Sequence, residues 1–299
     1  MFRFQKSNNS PAIHSHEETL AFEYLHMAVS LGCPLMSTFH GLPPQGVTQL
    51  SKSKRKLLYT HASTILANTI FSKKQLLSLG APNEKIQILP QGLPLTDFPY
   101  NPAPHPAPSG PIKLLTVGRF QRDKGQEYAL LATKRLLQLG HNIEYNMVGV
   151  GDTGRRRLEG LSKKIGIESA VHFHQNICHE GLKNLYNTCH IFILPSLRSK
   201  SQSHTETQGV VIQEAQASGC LVIATQTGGI PECVVNEVNA TLINDRSSKE
   251  IANAVCTLLN NDELWKNMQI NGRHHVKQKF CSFDIGKKMA SIIKSLKTN

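Results

Sequence analysis

Short apolar runs alternate with helix-forming segments along most of this chain, and no other feature constrains its fold as strongly. The first series covers residues 12–98, with the strand-like runs AIHSH, PLMSTFHG, STILAN and KIQILPQG. The second series covers residues 112–280, with the runs IKLLTVG, IEYNMVG, AVHFH, HIFILPS, CLVIAT and NATLI. Strands that are separated by helices run parallel in one sheet. The sequence therefore predicts an α/β protein with a parallel sheet in each half, the second of them doubly wound.

A proline-rich stretch, FPYNPAPHPAPSGP, separates the two series. Proline at this density cannot join a sheet and forms a semi-rigid spacer. A length of 299 residues also suits two domains. We predict a first domain over residues 1–98, a linker over 99–111, a second domain over 112–280 and, over 281–299, a C-terminal helix that packs back toward the first domain.

The segment ETQGVVIQEAQASG, residues 206–219, has the pattern of a helix with one misplaced charge. At about 100° per residue, Glu214 falls among the apolar residues and not on the polar strip. Glu206 lies just before the helix, and Gly209 lets an anion approach the free N–H groups of the helix N-terminus. Two interpretations stay open: Glu214 binds a ligand, or it pairs with a lysine or arginine in the core.

Loops rich in glycine and charge follow the strands of the second series, where parallel α/β sheets bind their ligands. GRFQRDKG contains Gly118, Arg119 and Lys124, and two cations on such a turn suit a diphosphate. QTGGIPE contains Gly228 and Gly229, which permit a close approach of the backbone to a ligand. For each loop, a plain surface turn is the competing interpretation.

The run GVGDTG, residues 149–154, satisfies the spacing GxGxxG. No acidic residue follows at the distance that a nicotinamide cofactor site requires, so we predict a turn at Gly149 near a base or a phosphate. The nearby histidines and cysteine lack the spacing of a zinc site, and we predict no metal there. These residues are His172, His174, Cys178 and His179.

A formal net charge of +12 suits an anionic partner. One basic helix is either a solvated face or a contact with an anionic membrane, through Lys52, Lys54, Arg55 and Lys56. No motif or aromatic surface for nucleic acid accompanies the charge. The seven cysteines include no CxxC pair, and the chain shows neither an apolar span nor a secretory leader. We therefore predict a cytoplasmic protein, peripheral at the inner face of the membrane where the basic helix binds.

Taken together, GRFQRDKG, the glutamates at 206 and 214 and TGGIPE resemble the retaining GT-B glycosyltransferases of family four, nearest to bacterial transferases of polysaccharide biosynthesis. The resemblance extends over residues 12–98 through FHG, ILANTIFSKKQLLSLG and KIQILPQGLPLTDF. It implies two Rossmann-like domains that face a cleft, with a UDP- or GDP-linked sugar held mainly by the second. It also implies transfer of a hexosyl group with retention to a carbohydrate or lipid-linked acceptor, without a metal or other cofactor.

The resemblance also implies roles for individual residues. Arg119 and Lys124 match the positions that hold the donor diphosphate, and Glu214 matches the carboxylate that binds the ribose hydroxyls. Glu206 and His40 match residues beside the transferred sugar. The implied catalytic residues are Glu206, Arg119, Lys124 and His40. The implied donor-binding residues are Gly118, Arg119, Lys124, Gly149, Gly209, Val210, Glu214, Gly228 and Gly229.

Two features depart from the family pattern. Thr207 and Gln208 follow Glu206, where the family often has glycine, and this bulk is expected to alter sugar selectivity. The first domain is expected to be incomplete, because the family's domain begins with about two or three more strand–helix units of a doubly wound sheet. Besides an active transferase, the sequence leaves open a truncated, inactive chain that binds the donor or completes a partner subunit, and a sugar-nucleotide epimerase of the same fold.

Overall fold

The structure is a computed structural model that describes residues 12–42, 49–107, 110–198 and 205–297. The predicted start of the first domain, residues 1–11, and the linker residues 108–109 lie outside the described residues. The chain divides into two compact units. Unit 1 comprises Met1–Gly92, Ser201–Gln208 and Ser282–Asn299, and unit 2 comprises Leu93–Lys200 and Gly209–Cys281.

Unit 1 contains, within its described residues, a parallel sheet with the strand order β1-β2-β3-β4. The strands are β1 (Ile13–His16), β2 (Leu35–Phe39), β3 (Thr64–Ala67) and β4 (Ile86–Ile88). The helices are α1 (Glu18–Glu23), α2 (Leu25–Leu31), α3 (Lys52–His61) and α4 (Ile70–Ser78). The four strands that the sequence predicts for this half are therefore confirmed.

One of the four cations that the sequence placed on the predicted membrane surface of α3 is buried. Arg55 is buried together with Leu58 and Tyr59, because residues at i, i+3 and i+4 share one face of a helix. Arg55 Nε donates to Glu18 Oε2 at 3.0 Å, and the Tyr59 hydroxyl donates to the same carboxylate. This corrects the prediction that Arg55 belongs to a membrane-binding surface, since its charge is paired inside unit 1. The lysines of that helix at 52, 54 and 56 are exposed.

Unit 2 contains, in its described residues, a parallel sheet with the strand order β10-β9-β8-β5-β6-β7. The strands are β5 (Ile112–Val117), β6 (Ile143–Val148), β7 (Val171–His174), β8 (Ile191–Leu194), β9 (Leu221–Thr225) and β10 (Thr241–Ile243). The helices are α5 (Gln126–Gln138), α6 (Asp152–Lys164), α7 (His179–Thr188), α8 (Val210–Ser218), α9 (Ile230–Cys233), α10 (Ser248–Leu259) and α11 (Asp262–Lys279). The last helix, α12 (Ser282–Lys297), belongs to unit 1, where its Ile285 packs with Leu66 and Leu89.

Helices cover both faces of the unit 2 sheet. Leu114 and Leu115 are neighbours in β5, and they point into two different hydrophobic clusters. Residues of α5 and α10 share the cluster of Leu114, residues of α7 and α8 share the cluster of Leu115, and α11 contributes residues to both. The chain therefore leaves β5 toward one face and β8 toward the other, and the strand order reverses between these two neighbouring strands.

The proline-rich stretch is part of unit 2, and this corrects the predicted domain boundary. The division falls after Gly92, and the described residues of 99–111 pack against unit 2. Asn101 N donates to Ser218 O at 3.1 Å, and Gln269 Nε2 donates to Ala103 O at 2.8 Å. Proline cannot extend a sheet, but the carbonyl groups of a proline-rich segment accept hydrogen bonds and its rings pack on apolar surface. The described part of this stretch therefore packs on the surface of unit 2 and does not act as a spacer between two domains.

Candidate functional site

The most informative place in unit 2 is the carboxyl edge of its sheet between β5 and β8. Open α/β sheets bind ligands at such a point, because the loops diverge to opposite faces and leave a crevice. The loop after β5 contains Gly118, Arg119 and Lys124, and the segment after β8 leads to Gly209 and Glu214. The structure therefore brings the predicted cations and the predicted helix to adjacent strands.

The turn that carries Lys124 lies against the loop after β8. Arg122–Lys124 form a single 3-10 turn, which ends at Gly125 with φ of 61°. A Cβ on Gly125 would lie 2.0 Å from Pro195 O, and Leu197 N donates to Asp123 O at 2.7 Å. Glycine is required here both for the left-handed backbone and for this close approach. The two loops at the crevice are thereby held together.

The buried amide of Gln126 fixes the backbone beside Arg119. Its Nε2 donates to Arg119 O at 2.9 Å, and the whole residue has 0% exposure. The Arg119 side chain itself is exposed at the sheet edge. Gln126 is not among the predicted site residues, although a polar residue that directly follows a glycine at the start of a buried helix was an available signal.

The glycines of GVGDTG serve the packing of the first loop. A Cβ on Gly149 would lie 2.1 Å from Gly118 O, and a Cβ on Gly154 would lie 1.6 Å from Phe120 O. Phe120 N also donates to Val150 O at 2.8 Å. The loops after β5 and β6 therefore run in close contact, which accounts for both glycines without a ligand. The prediction of a turn after β6 agrees with this geometry.

Glu214 has a neutral partner. The Tyr186 hydroxyl donates to Glu214 Oε2 at 2.8 Å, and Tyr186 is almost fully buried. Burial raises the pKa of the Glu214 carboxyl, whereas the hydrogen bond from Tyr186 and the nearby His179 act in the opposite direction. The core interpretation expected a lysine or arginine here, and no such partner is found among the described residues. The carboxylate is oriented, but its charge is not cancelled by a salt bridge.

Two further loops complete this edge. Gly209 has a left-handed φ of 72° and precedes Val210, the first residue of α8. Gly228 follows β9 with φ of 57°, so only glycine fits there without strain, whereas Gly229 has an ordinary φ of −88°. The residues that the resemblance implies for donor binding thus lie in the loops after β5, β6, β8 and β9 or in the first half of α8.

Unit 1 holds the other predicted residues, His40 and Glu206. Thr207 is buried, its Oγ1 donates to His40 O at 3.1 Å, and its carbonyl accepts from Thr69 Oγ1 at 2.9 Å. A Cβ on Gly41 would lie 2.7 Å from the Thr207 side chain. Thr207, which departs from the family pattern, therefore anchors the segment next to Glu206 on the loop that follows β2.

The ring of His40 is surrounded by polar side chains. Asn68 Nδ2 and Gln91 Nε2 lie 3.3 and 3.2 Å from His40 Nδ1, and His16 Nδ1 lies 2.9 Å from His40 Nε2. Burial, followed by the charges of His16 and His14, lowers the pKa of His40 to about 4. His16, Asn68 and Gln91 are not among the predicted site residues. Each of them stands at or just after the end of a strand, and that position was the available signal.

The described residues contain no group of three or more histidine, cysteine or acidic side chains placed to hold a metal ion. Their helices include none that is long and apolar enough to cross a membrane.

Solved structures share this architecture. A glycosyltransferase from Rickettsia africae ESF-5 superposes with a TM-score of 0.82 at 21% identity, covering 100% of this chain and 84% of that chain. Anabaena Alr3699/HepE, solved in complex with UDP, superposes with a TM-score of 0.81 at 18% identity, covering 97% and 80%. The two α/β units, each with a parallel sheet, thus define a protein of the GT-B class.

The sequence comparisons identify the family. The model of "Glycosyl transferases group 1" matches residues 97–275, and that of "Glycosyltransferase Family 4" matches residues 3–97. The chain belongs to the group 1 glycosyltransferases, and the resemblance of its motifs to the GT-B glycosyltransferases of family four is confirmed.

Named relatives include the D-inositol 3-phosphate glycosyltransferase of Thermobifida fusca, 28% identical over 72% of this chain and 51% of the relative. The amylovoran biosynthesis glycosyltransferase AmsK of Erwinia amylovora is 26% identical over 73% of this chain and 53% of the relative. The chain spans about half the length of these relatives.

Proposed function

We propose that this protein is a retaining hexosyltransferase that uses a nucleotide-diphosphate sugar in the biosynthesis of a polysaccharide or glycolipid. The observation that carries the proposal is the Glu214 carboxylate, which is partly buried on α8 and is held by the hydroxyl of Tyr186. Burial raises the pKa of this carboxyl, so hydrogen-bond donors from a ligand would stabilise its ionised form. The two hydroxyls of a ribose are donors of the right kind. The solved relative in complex with UDP and the relatives named as glycosyltransferases support the same assignment.

The diphosphate of the donor is assigned to the loop after β5 and to the start of α8. Arg119 supplies a planar guanidinium, and Lys124 supplies a second cation on a turn whose backbone is fixed at Gly125. The N-terminus of α8 at Gly209 and Val210 presents the positive end of the helix dipole, which favours an anion. Gly118, Gly228 and Gly229 lie in loops at the same edge and are assigned to close approach of the donor, whereas Gly149 supports them by letting the loop after β6 pack on Gly118.

The chemistry follows from the charge that develops as the sugar–phosphate bond breaks. The sugar gains oxocarbenium-like positive charge, and the leaving diphosphate gains negative charge. Arg119, Lys124 and the N-terminus of α8 stabilise the diphosphate, so the proposal includes no metal ion. Glu206 and His40 of unit 1 are assigned to the sugar. The acceptor hydroxyl attacks on the face from which the diphosphate leaves, and the configuration of the sugar is retained.

Calorimetric titration with UDP, GDP and their sugars tests the diphosphate assignment. We expect the double variant Arg119→Ala/Lys124→Ala to bind roughly tenfold or more weakly, because two charge-assisted contacts are lost. Arg122→Ala is the matched control, since Arg122 is an exposed cation of the same turn. Equal affinities for the double variant and the control would remove the assignment.

The ribose assignment has its own test. Glu214→Gln keeps the shape of the side chain and should lose nucleotide affinity while the protein stays folded. If Glu214→Gln instead raises the free energy of unfolding with nucleotide affinity unchanged, the carboxylate is only a strained core residue.

A membrane contact is proposed for unit 1. Phe22, Leu25, Val29 and Leu57 line a groove of about 560 Å³ between α1, α2 and α3, and Lys54 stands at it. With the exposed Lys52 and Lys56, this surface combines apolar area with cations, each worth about 1 kcal/mol near an anionic membrane. Co-sedimentation with phosphatidylglycerol vesicles should fall in Lys52→Gln/Lys54→Gln/Lys56→Gln and persist in the control Lys73→Gln/Lys74→Gln. If co-sedimentation falls equally in the triple variant and the control, or falls in neither, this contact is refuted.

A further inference from the structure

A polar pocket lies at the amino edge of the unit 2 sheet, opposite to the carboxyl edge that carries the candidate site. It has a volume of about 280 Å³, and the residues that line it all belong to unit 2. Lys113 is the second residue of β5, His190 directly precedes β8, and Asn187 and Thr188 end α7. Residues 101–104 of the proline-rich stretch form the remaining wall. Pockets for drug-sized ligands measure about 300–1,000 Å³, so this amino-edge pocket suits a small ligand.

The ring of His190 is fixed by the backbone of Lys113. Lys113 N donates to His190 Nδ1 at 2.9 Å, and His190 N donates to Lys113 O at 2.9 Å. Burial, followed by the charges of Lys113 and His105, lowers the pKa of His190 to about 4, so the ring is neutral at pH 7. Since Nδ1 accepts, the single proton of the ring is on Nε2. His190 has only 8% exposure, and in the described part of the chain Nδ1 is the one nitrogen of its ring that has a hydrogen-bond partner. The Nε2–H group is therefore a donor that is left for a ligand.

Two other side chains bring donors to the same pocket. Lys113 supplies an ammonium group. Glu144 is its neighbour in the sheet register, but Glu144 Oε1 accepts from Asn146 Nδ2 at 3.0 Å, and no salt bridge joins Glu144 to Lys113 within the described residues. Asn187 Oδ1 is buried and lacks a hydrogen-bond partner among the residues that the structure describes, so the amide meets the pocket through Nδ2. The polar side of the pocket thus offers a cation and two neutral donors.

The wall that faces these donors is held in place by unit 2 itself. Asn101 N and Ala103 O are hydrogen-bonded to Ser218 O and Gln269 Nε2. Gly219 has φ of 98°, and a Cβ there would lie 2.7 Å from Pro102 Cα, so only glycine lets the stretch pack this closely. The pocket is therefore formed before any ligand binds, which lowers the entropic cost of binding.

We propose that the amino-edge pocket is an anion site, separate from the candidate nucleotide site, that binds inorganic phosphate or a small phosphate monoester through Lys113, His190 and Asn187. A phosphate group presents three strong acceptor oxygens, and each of these three side chains presents a donor. The competing interpretation is structural, because a cation near the C-terminus of α7 offsets the negative end of the helix dipole. The inference does not rest on the proposed function, since the pocket and the donor-binding loops lie at opposite edges of the sheet.

Titration of the full chain, labelled with ¹⁵N-histidine, with inorganic phosphate tests the inference directly. In long-range proton–nitrogen NMR spectra at pH 7, we expect the Nε2–H tautomer of His190, with signals assigned by their loss in His190→Asn. Phosphate should shift the Nε2 signal of His190 to saturation in the wild type and equally in Arg119→Ala/Lys124→Ala, whereas chloride at the same ionic strength should not. The Nδ1–H tautomer, the absence of a saturable shift, or a shift that is lost in Arg119→Ala/Lys124→Ala would overturn the inference.

A second titration, with glycerol 3-phosphate, distinguishes the two sources of the phosphate group. Tighter binding than that of inorganic phosphate assigns the pocket to a monoester, because the ester then uses the remaining volume. Equal or weaker binding assigns it to inorganic phosphate. Glycerol alone should produce no shift, and a shift with glycerol would overturn the assignment of an anion.

Calorimetric titration with phosphate in the Arg119→Ala/Lys124→Ala background isolates the amino-edge pocket from the candidate site. His190→Asn keeps an acceptor at the place of Nδ1 but removes the donor at the place of Nε2, and Lys113→Met removes the cation. We expect each change to weaken phosphate binding by about tenfold or more, and Lys113→Arg to retain most of the affinity. Lys164→Gln, at an exposed cation of α6, is the control and should bind phosphate normally. If Lys113→Met lowers the free energy of unfolding in urea but leaves phosphate affinity unchanged, Lys113 only offsets the dipole of α7 and the inference is wrong.

Discussion

Gly154 offers the sharpest test of how the fold positions Arg119 and Lys124 at the carboxyl edge of the unit 2 sheet. It is the third residue of α6, and an added Cβ would lie 1.6 Å from the carbonyl oxygen of Phe120. Gly160 lies further along the same helix, and a Cβ there would meet nothing within 4 Å. Gly154→Ala and Gly160→Ala thus make the same chemical change in one helix with opposite steric consequences.

The magnitude follows from the two sites. Alanine in place of glycine inside a helix gains roughly 0.5–1 kcal/mol, and this gain is common to both variants. Real Cβ contacts rarely fall below 3.0 Å, so Phe120 O has to move by about 1.4 Å in Gly154→Ala. Overpacking of this kind costs about 1–3 kcal/mol. We expect Gly160→Ala to stabilise the protein and Gly154→Ala to be less stable than Gly160→Ala by about 1–3 kcal/mol in urea denaturation.

The displacement also reaches the candidate site. Phe120 directly follows Arg119, and the backbone of Phe120 is hydrogen-bonded to Val150. A misplacement of about 1 Å can cost as much as 10²-fold where geometry matters. Nucleotide affinity measured by calorimetry should therefore fall at least roughly tenfold in Gly154→Ala and stay unchanged in Gly160→Ala. If both variants match in stability and in affinity, the close contact between α6 and the Arg119 loop does not exist in solution.

Two further predictions concern buried titratable groups. Arg55→Met leaves Glu18 buried without its cation, and we expect the free energy of unfolding to fall by about 3–5 kcal/mol. Adding Glu18→Gln should restore most of this loss, because the unpaired charge is then removed. A loss below about 1 kcal/mol in Arg55→Met would contradict the buried pair. Burial, with Lys113 and His105 nearby, lowers the pKa of His190 to about 4, and its Nδ1 accepts from Lys113 N at 2.9 Å. The unfolded state therefore binds the additional proton as the pH falls from about 6.5 to 4, and stability falls with it. In urea denaturation at several pH values, His190→Gln should lose stability less steeply over this window than the wild type, and parallel profiles would refute the argument.

The sheets could be predicted from the sequence because their signals are local. Runs such as IKLLTVG and HIFILPS are short, apolar and bounded by turn residues, and they became β5 and β8. The role of the proline-rich stretch could not be predicted, because proline density excludes a strand but does not tell whether the segment packs. Its hydrogen bonds to Ser218 and Gln269 join residues that are far apart in sequence.

In the candidate site too, features with a local sequence signal could be predicted, whereas contacts between distant residues could not. Arg119, Lys124, Gly209 and Glu214 could be placed at one sheet edge because each follows a predicted strand. The arrangement around His40 depends on the register of four strands, so no sequence pattern reveals it. Arg55 is an intermediate case. Its spacing to Leu58 and Tyr59 predicts an inward face, and grouping it with the lysines of α3 overlooked that periodicity.

The hydrogen-bond partners of Glu18 and Glu214 indicate a structural role for the first carboxylate and a ligand-binding role for the second. Glu18 is held by the cation of Arg55, so its charge is cancelled inside the core of unit 1. Glu214 is held by the neutral hydroxyl of Tyr186, which fixes the direction of the carboxylate and leaves its negative charge available. A salt bridge at that position would have to be broken before a ribose hydroxyl could donate, whereas a neutral partner imposes no such cost. Neutral amides likewise face Nδ1 of His40, and they orient the ring without adding a charge. A buried ionisable group that is oriented by neutral groups is therefore the better candidate for binding a ligand, and this criterion selects Glu214 over Glu18.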